Sequence, residues 1–206
     1  MKRLLWLALV LLPLKSQAYL SLLNHGDVIK TGAYRLTLSP QFITASDLGN
    51  GANFTGRFDT GIDEASDIRA VVGFGRVDFH VGGTYKWVPI PDTPDQPALG
   101  VAVGAFFARQ SSVNTFSVRA FPFISKRFET DAGVFTPYSG LPLGLSATSS
   151  TTEAPVHFVL GSEWMPPGLE RISFWIESGF NVSKAFSYMS LAVSLYWDDE
   201  NGVEFR

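Results

Sequence analysis

Cysteine is absent from this chain of 206 residues. Disulfide scaffolds, thiol redox centres, zinc–thiolate sites and lipid attachment through a thiol are thereby excluded. Charge is scarce: Asp, Glu, Lys and Arg make up 17 % of the residues, where an ordinary soluble domain carries about a quarter. There is no basic excess. The formal net charge is −3, which offers no footprint for nucleic acid. Beyond the first residues no apolar run approaches the ~20 residues of a membrane helix, and sustained helical periodicity is missing. What is present is apolar and aromatic. Hydrophobic residues make up 46 % and aromatics 14 %, with 17 Phe against 5 Trp and 6 Tyr. That composition excludes disorder, which needs low hydrophobicity and high net charge.

The first eighteen residues stand apart. Met1-Lys2-Arg3 is a basic start, Leu4 to Leu14 is apolar apart from Pro13, and Ser16-Gln17-Ala18 fits the small-x-small rule for cleavage. This pattern predicts a secretory signal peptide over 1–18, removed after Ala18, and a single mature domain over 19–206. An exported chain without cysteine points to a Gram-negative periplasm or outer membrane.

One pattern recurs through the mature chain: apolar and polar residues alternate with period two over about ten residues, then turn residues intervene. Period two places alternate side chains on opposite faces of a strand. Leu99, Val101, Val103, Ala105 and Phe107 form one such face, Ile172, Phe174, Ile176, Phe180 and Val182 another, and Met189, Leu191, Val193, Leu195 and Trp197 a third. Ten strands are predicted, near 33–44, 53–62, 67–73, 76–88, 98–109, 114–127, 134–147, 155–165, 170–182 and 187–197. Eight is the alternative, because the pairs near 53–73 are weakly patterned. Pro89 to Pro97 and Pro166-Pro167-Gly168 cannot sit inside a sheet and read as turns.

Alternation fits two architectures. A soluble barrel turns its apolar face inward, whereas a membrane barrel turns it outward to lipid. Three features favour the membrane barrel. The polar faces hold small residues, among them Gly100, Ala102, Gly104, Gly161, Gly179, Ser190 and Ser194, as expected where side chains converge on the axis of a narrow lumen. The charges on those faces nearly balance: Arg35, Arg57, Arg69, Lys86 and Arg119 against Asp59, Asp78, Glu163 and Glu177. Finally, Tyr34, Trp87, Trp164 and Trp197 all fall at the same end of up-and-down strands, on the apolar face. They read as an aromatic girdle at the headgroup level, on the periplasmic side if the mature chain starts there.

With the leader and alternating strands, and with segments such as Gly73-Phe74-Gly75-Arg76-Val77-Asp78-Phe79 and Thr136-Pro137-Tyr138-Ser139-Gly140-Leu141, the chain resembles small bacterial outer-membrane β-barrel proteins. The resemblance implies a closed, antiparallel transmembrane barrel, assembled by the barrel-assembly machinery and surrounded by outer-membrane lipid. Such barrels usually end on an aromatic residue. Here Trp197 ends the last clear strand and Asp198 to Arg206 follows, with Phe205 as the other candidate.

Signals for chemistry are few. His80 and His157 fall on lumen faces and His25 precedes the first strand, but neither His80-Val81-Gly82 nor His157-Phe158-Val159 carries the His-x-Ser motif of barrel deacylases. Asp59, Asp63, Glu64 and Asp67 read as a solvated turn, as do Asp198-Asp199-Glu200-Asn201-Gly202, which lack the spaced ligands of a calcium loop. No catalytic, metal or cofactor residues are assigned. The expectation is a monomeric, non-enzymatic barrel with a structural or surface role and a lumen filled by side chains, since even about eight strands enclose little free space. The alternatives are a narrow passive channel and a soluble periplasmic barrel binding an apolar ligand against the face of Val101, Phe107 and Leu191.

Overall fold

The structure is a computed structural model, described for residues 21–45 and 50–200. The expected leader and Phe205 lie outside the described residues. The strands are β1 (Ala33–Ala45), β2 (Gly51–Asp63), β3 (Ser66–Gly75), β4 (Phe79–Ile90), β5 (Ala98–Gln110), β6 (Val113–Ser125), β7 (Phe128–Thr130), β8 (Gly133–Gly140), β9 (Leu143–Ala147), β10 (Thr152–Glu153), β11 (Val156–Met165), β12 (Ile172–Ser183) and β13 (Ser187–Asp198). β8 and β9 are two halves of one stave. Both lie between β6 and β11, and Leu141-Pro142 interrupts the ladder where proline has no N–H to give. β7 and β10 are short extensions of neighbouring hairpins. The remainder is a closed antiparallel barrel of 10 strands, sealed by β13 against β1 with Tyr34 opposite Trp197.

Burial is inverted relative to a soluble protein. Arg35, Arg57, Asp59, Lys86 and Glu177 are buried, while Phe54, Phe74, Phe116, Leu160, Ile176 and Val193 are exposed. Adjacent residues on β13 show the switch: Leu191 is 43 % exposed and Ser190 0 %. An apolar belt around the whole barrel far exceeds the few hundred Å² of exposed patch that water-soluble monomers tolerate. The barrel therefore spans a membrane, and closure leaves no strand edge unpaired in lipid. The face that a soluble ligand binder would turn inward lies outside, with Phe107 and Leu191 exposed and Val101 half-buried.

Gly100, Gly161 and Gly179 have a cause beyond simple convergence on the axis. Rings on one strand lie over glycines directly opposite on the next: Phe106 over Gly82, Phe123 over Gly100, Tyr138 over Gly161, Tyr188 over Gly179 and the His80 ring over Gly73. A Cβ at Gly179 would stand 2.1 Å from the Tyr188 ring. Each glycine thus lets a ring fold flat against the wall, the packing that relieves glycine in sheets, and keeps that ring off the barrel axis.

If the outward face meets lipid, Leu191→Arg should cost about 2–4 kcal/mol, the penalty for a cation at the midplane of a barrel strand. A fluorophore on Leu191→Cys should be quenched by brominated lipid in vesicles. Absence of quenching would place this face away from the bilayer.

Candidate functional site

The lumen is the only interior the fold creates among the described residues, and the chain fills it from its own N-terminal side. Residues 21–30 have no strand pairing. They run along the axis from Ser21, deep inside, to the exposed Lys30 at the mouth, where Thr31 and Gly32 turn into β1. Ser21, Leu23, Asn24, His25 and Ile29 are all buried.

The wall holds this plug mainly by its backbone. Glu177 accepts from Leu22 N and Leu23 N, each at 2.7 Å, one on each oxygen. Leu23 takes φ 44°, a left-handed conformation that costs an ordinary side chain about 1–3 kcal/mol. It turns two successive amides onto one carboxylate, the backbone concavity that binds anions. Tyr138 and Tyr188 donate to the same carboxylate at 2.6 and 2.7 Å, so four donors satisfy it. Arg69 donates to the carbonyls of Leu22 and Leu23, and Arg57 Nη2 to the Ser21 carbonyl at 2.6 Å. Lys86 reaches the Asp27 carbonyl at 2.6 Å, Asp67 accepts from Ile29 N at 3.2 Å, and Ser125 accepts from Gly26 N at 2.8 Å. Gly26 is required by close approach, since a Cβ there would lie 2.2 Å from that of Ala98.

Around the plug the charges pair across strands. Asp59 on β2 bridges Arg35 on β1 at 3.2 Å and Arg69 on β3 at 2.6 Å. Lys86 on β4 meets Asp67 on β3 at 2.7 Å. Glu163 on β11 bonds His25 Nε2 at 2.6 Å and accepts from Tyr196 at 2.5 Å. The His25 ring stacks on Trp175, centroids 4.8 Å apart. Arg119 lies over the Phe106 ring at 4.6 Å.

Of the sequence-predicted lumen charges, Arg35, Arg57, Asp59, Arg69, Lys86, Arg119, Glu163 and Glu177 are buried inside the barrel. Asp78 is not. It lies exposed between β3 and β4, where its carboxylate accepts from Ser111 N at 2.5 Å. The alternation breaks there because Gly75, at φ 135°, ends β3 and β4 starts only at Phe79. Val77 is consequently buried rather than outward. The expected acidic turn also divides: Asp59 and Asp67 point inward, whereas Asp63 and Glu64 are exposed. Asp67 shares a face with Arg69, so strict period two would have assigned it. Tyr34, Trp87, Trp164 and Trp197 lie at one end of the barrel, with Tyr34 stacked on Trp197 and Phe58 at 5.8 Å and Trp164 on Phe135 at 6.1 Å.

His25, Asp27 and Glu163 bring their ligand atoms within 4.8 Å of one another, the geometry of a candidate metal centre. The hydrogen bonds oppose it. His25 Nδ1 accepts from Asp27 N at 3.0 Å, which puts the ring proton on Nε2, facing Glu163. Metal binding at Nε2 would need that proton removed and the Glu163 bond given up. His80 Nε2 lies 3.5 Å from Thr55 Oγ1 and His157 Nε2 lies 3.1 Å from the Phe186 carbonyl.

At the girdle end a cavity of about 460 Å³ opens beside the plug, between His25, Arg35, Glu163, Tyr196 and the mouth residues Arg127 and Arg171. Asp92, on the loop between β4 and β5, accepts from Lys126 Nζ at 2.8 Å and from Arg127 N at 2.7 Å. Partial desolvation pushes the Asp92 carboxyl up, but these bonds outweigh it and hold it below the ordinary carboxylate range. The clamp is therefore intact at neutral pH and is lost as pH falls through that depressed value.

Removing one partner from a buried ionic network leaves the others uncompensated. Asp59→Asn strands two guanidiniums and should cost about 3–5 kcal/mol. Asp63→Asn, at the exposed end of β2, should stay within about 0.5 kcal/mol. Denaturant unfolding in detergent, followed by heat-modifiable gel mobility, separates the two. Equal stability of both variants would contradict the network.

No protein-family model matches the chain, and no curated protein matches it by sequence. Among solved structures it is similar to the translocator domain of autotransporter NalP from Neisseria meningitidis, at 13 % identity and TM-score 0.48, covering 84 % of this chain and 90 % of that one. It is also similar to a structure from the de novo design of transmembrane beta-barrels, at 11 % identity and TM-score 0.42, covering 82 % and 98 %. A third is the N-terminal beta-barrel domain of Pseudomonas aeruginosa OprF, at 9 % identity and TM-score 0.36, covering 81 % and 98 %. The fold and its membrane-facing surface stand on the strand pairing and inverted burial described above.

Proposed function

We propose that this protein is an exported, monomeric, integral outer-membrane barrel with a structural or surface role and no catalytic activity, its lumen closed at rest. The observation that carries the reading is the seated plug: residues 21–30 occupy the axis and their backbone is bonded by side chains from β2, β3, β4, β6 and β12. A barrel built to conduct would keep an aqueous path, whereas here the path carries a chain segment and paired charges. The leader-like 1–18 supports export, and the girdle end, where β1 begins and β13 finishes, is assigned to the periplasm. Short connections at the other end, 76–78, 111–112 and 184–186, support a structural more than an adhesive role. The surrounding lipid and, during biogenesis, the barrel-assembly machinery are the partners of this reading.

The narrow passive channel is the competing function. Purified protein in planar bilayers should give no stable conductance steps. A steady open pore in the intact chain would favour the channel.

A further inference from the structure

The plug is bound as a ligand is bound. It takes no part in the β-ladder. Its tie to the barrel is the exposed Lys30-Thr31 connector, followed by Gly32 at φ 77°. Most of its polar contacts use groups that every peptide has. Glu177 and Asp67 take backbone N–H groups, while Arg57, Arg69 and Lys86 give to backbone carbonyls. Ring-on-glycine packing presses the Phe106, Phe123, Tyr138 and Tyr188 rings against the wall, which leaves room inside for the segment 21–30.

We propose that the girdle-side half of the lumen is a binding site for an unpaired peptide segment that turns at a left-handed residue, occupied in cis by residues 21–30 and able to take the same kind of segment as a separate molecule. The inference rests on the plugged-barrel reading. Three contacts set the ligand class. Leu23 is buried among Val88, Ala98, Phe121, Phe123 and Trp175, so an apolar residue is required there. Two residues on, an imidazole fits between Trp175 and Glu163. The next residue is glycine, because the Ala98 side chain leaves no room for a Cβ. The site therefore selects a segment of the form Leu-Leu-x-His-Gly, read by its amides at the leucine pair, by the side chains of its second leucine and its histidine, and by the lack of one at its glycine.

The test keeps the full chain through folding. A specific protease site is inserted between Lys30 and Thr31, both exposed, and the variant is folded, checked for heat-modifiable mobility and then cut. A synthetic peptide of residues 19–30, labelled at the Lys30 side chain, is added, with bilayer conductance and label anisotropy as readouts. The expected result is that the cut barrel exchanges its plug, conducts when the free peptide is diluted away, and closes again when peptide is restored. N-methylation of the Leu22 and Leu23 amides should weaken binding at least tenfold, and Glu177→Gln in the barrel should do the same. A cut barrel that stays closed and takes up no peptide overturns the peptide site but leaves a closed, side-chain-filled barrel. Binding indifferent to N-methylation overturns the amide reading. An intact, uncut barrel that already conducts overturns the plugged reading itself.

Discussion

Every ionised group inside this barrel must find a counter-charge or a full set of hydrogen-bond partners inside the barrel, because the wall around it faces hydrocarbon. A buried charge without a partner costs several kcal/mol, and the strands offer no route to water sideways. Asp59 placed between Arg35 and Arg69, and Asp67 placed against Lys86, meet that constraint across four neighbouring staves. These pairs also fix which residues stand opposite one another. A slip of one residue would turn Arg35 and Asp59 into the lipid and Leu36 and Phe58 into the lumen. The register of the sheet and the neutrality of the lumen are thus one requirement.

The wall pairs alone do not complete the interior. Glu177 is satisfied by two tyrosines and two amides from the plug, and Glu163 by Tyr196 and a histidine of the plug. Withdrawing the plug would leave both carboxylates short of donors. The plug is in this sense part of the electrostatic core, although it lies outside the ladder. Flat packing of Phe123, Tyr138 and Tyr188 over glycines makes room for it, and the strained Leu23 is held because its amide meets Glu177.

The architecture was legible because period-two alternation is a strong signal when one face meets lipid. Ten strands were expected, and ten staves form the barrel. The predicted segment 134–147 is a single stave broken at Leu141-Pro142. Asp78 was misplaced because alternation carries no warning of a left-handed glycine such as Gly75, which resets the face. The plug was not legible at all. Ser21 to Lys30 shows no period, and its fit depends on backbone groups that every sequence shares. Only His25 and Gly26 mark it, and their meaning depends on Glu163, Trp175 and Ala98, each more than seventy positions away. The small residues at Gly100, Gly161 and Gly179 are visible in the sequence, but their cause is a cross-strand relation to rings that no single strand reveals.

The whole interior depends on residues 21–30 lying inside the barrel, bonded to its wall. Amide hydrogen exchange of the folded protein in detergent micelles or nanodiscs reads this placement residue by residue. Leu22, Leu23, Gly26 and Ile29 donate to Glu177, Ser125 and Asp67. They should exchange as slowly as the amides of β12 and β13, since release requires an opening event. Exchange of these four amides at the rate of an exposed, unstructured chain would place the segment outside the lumen and contradict the account.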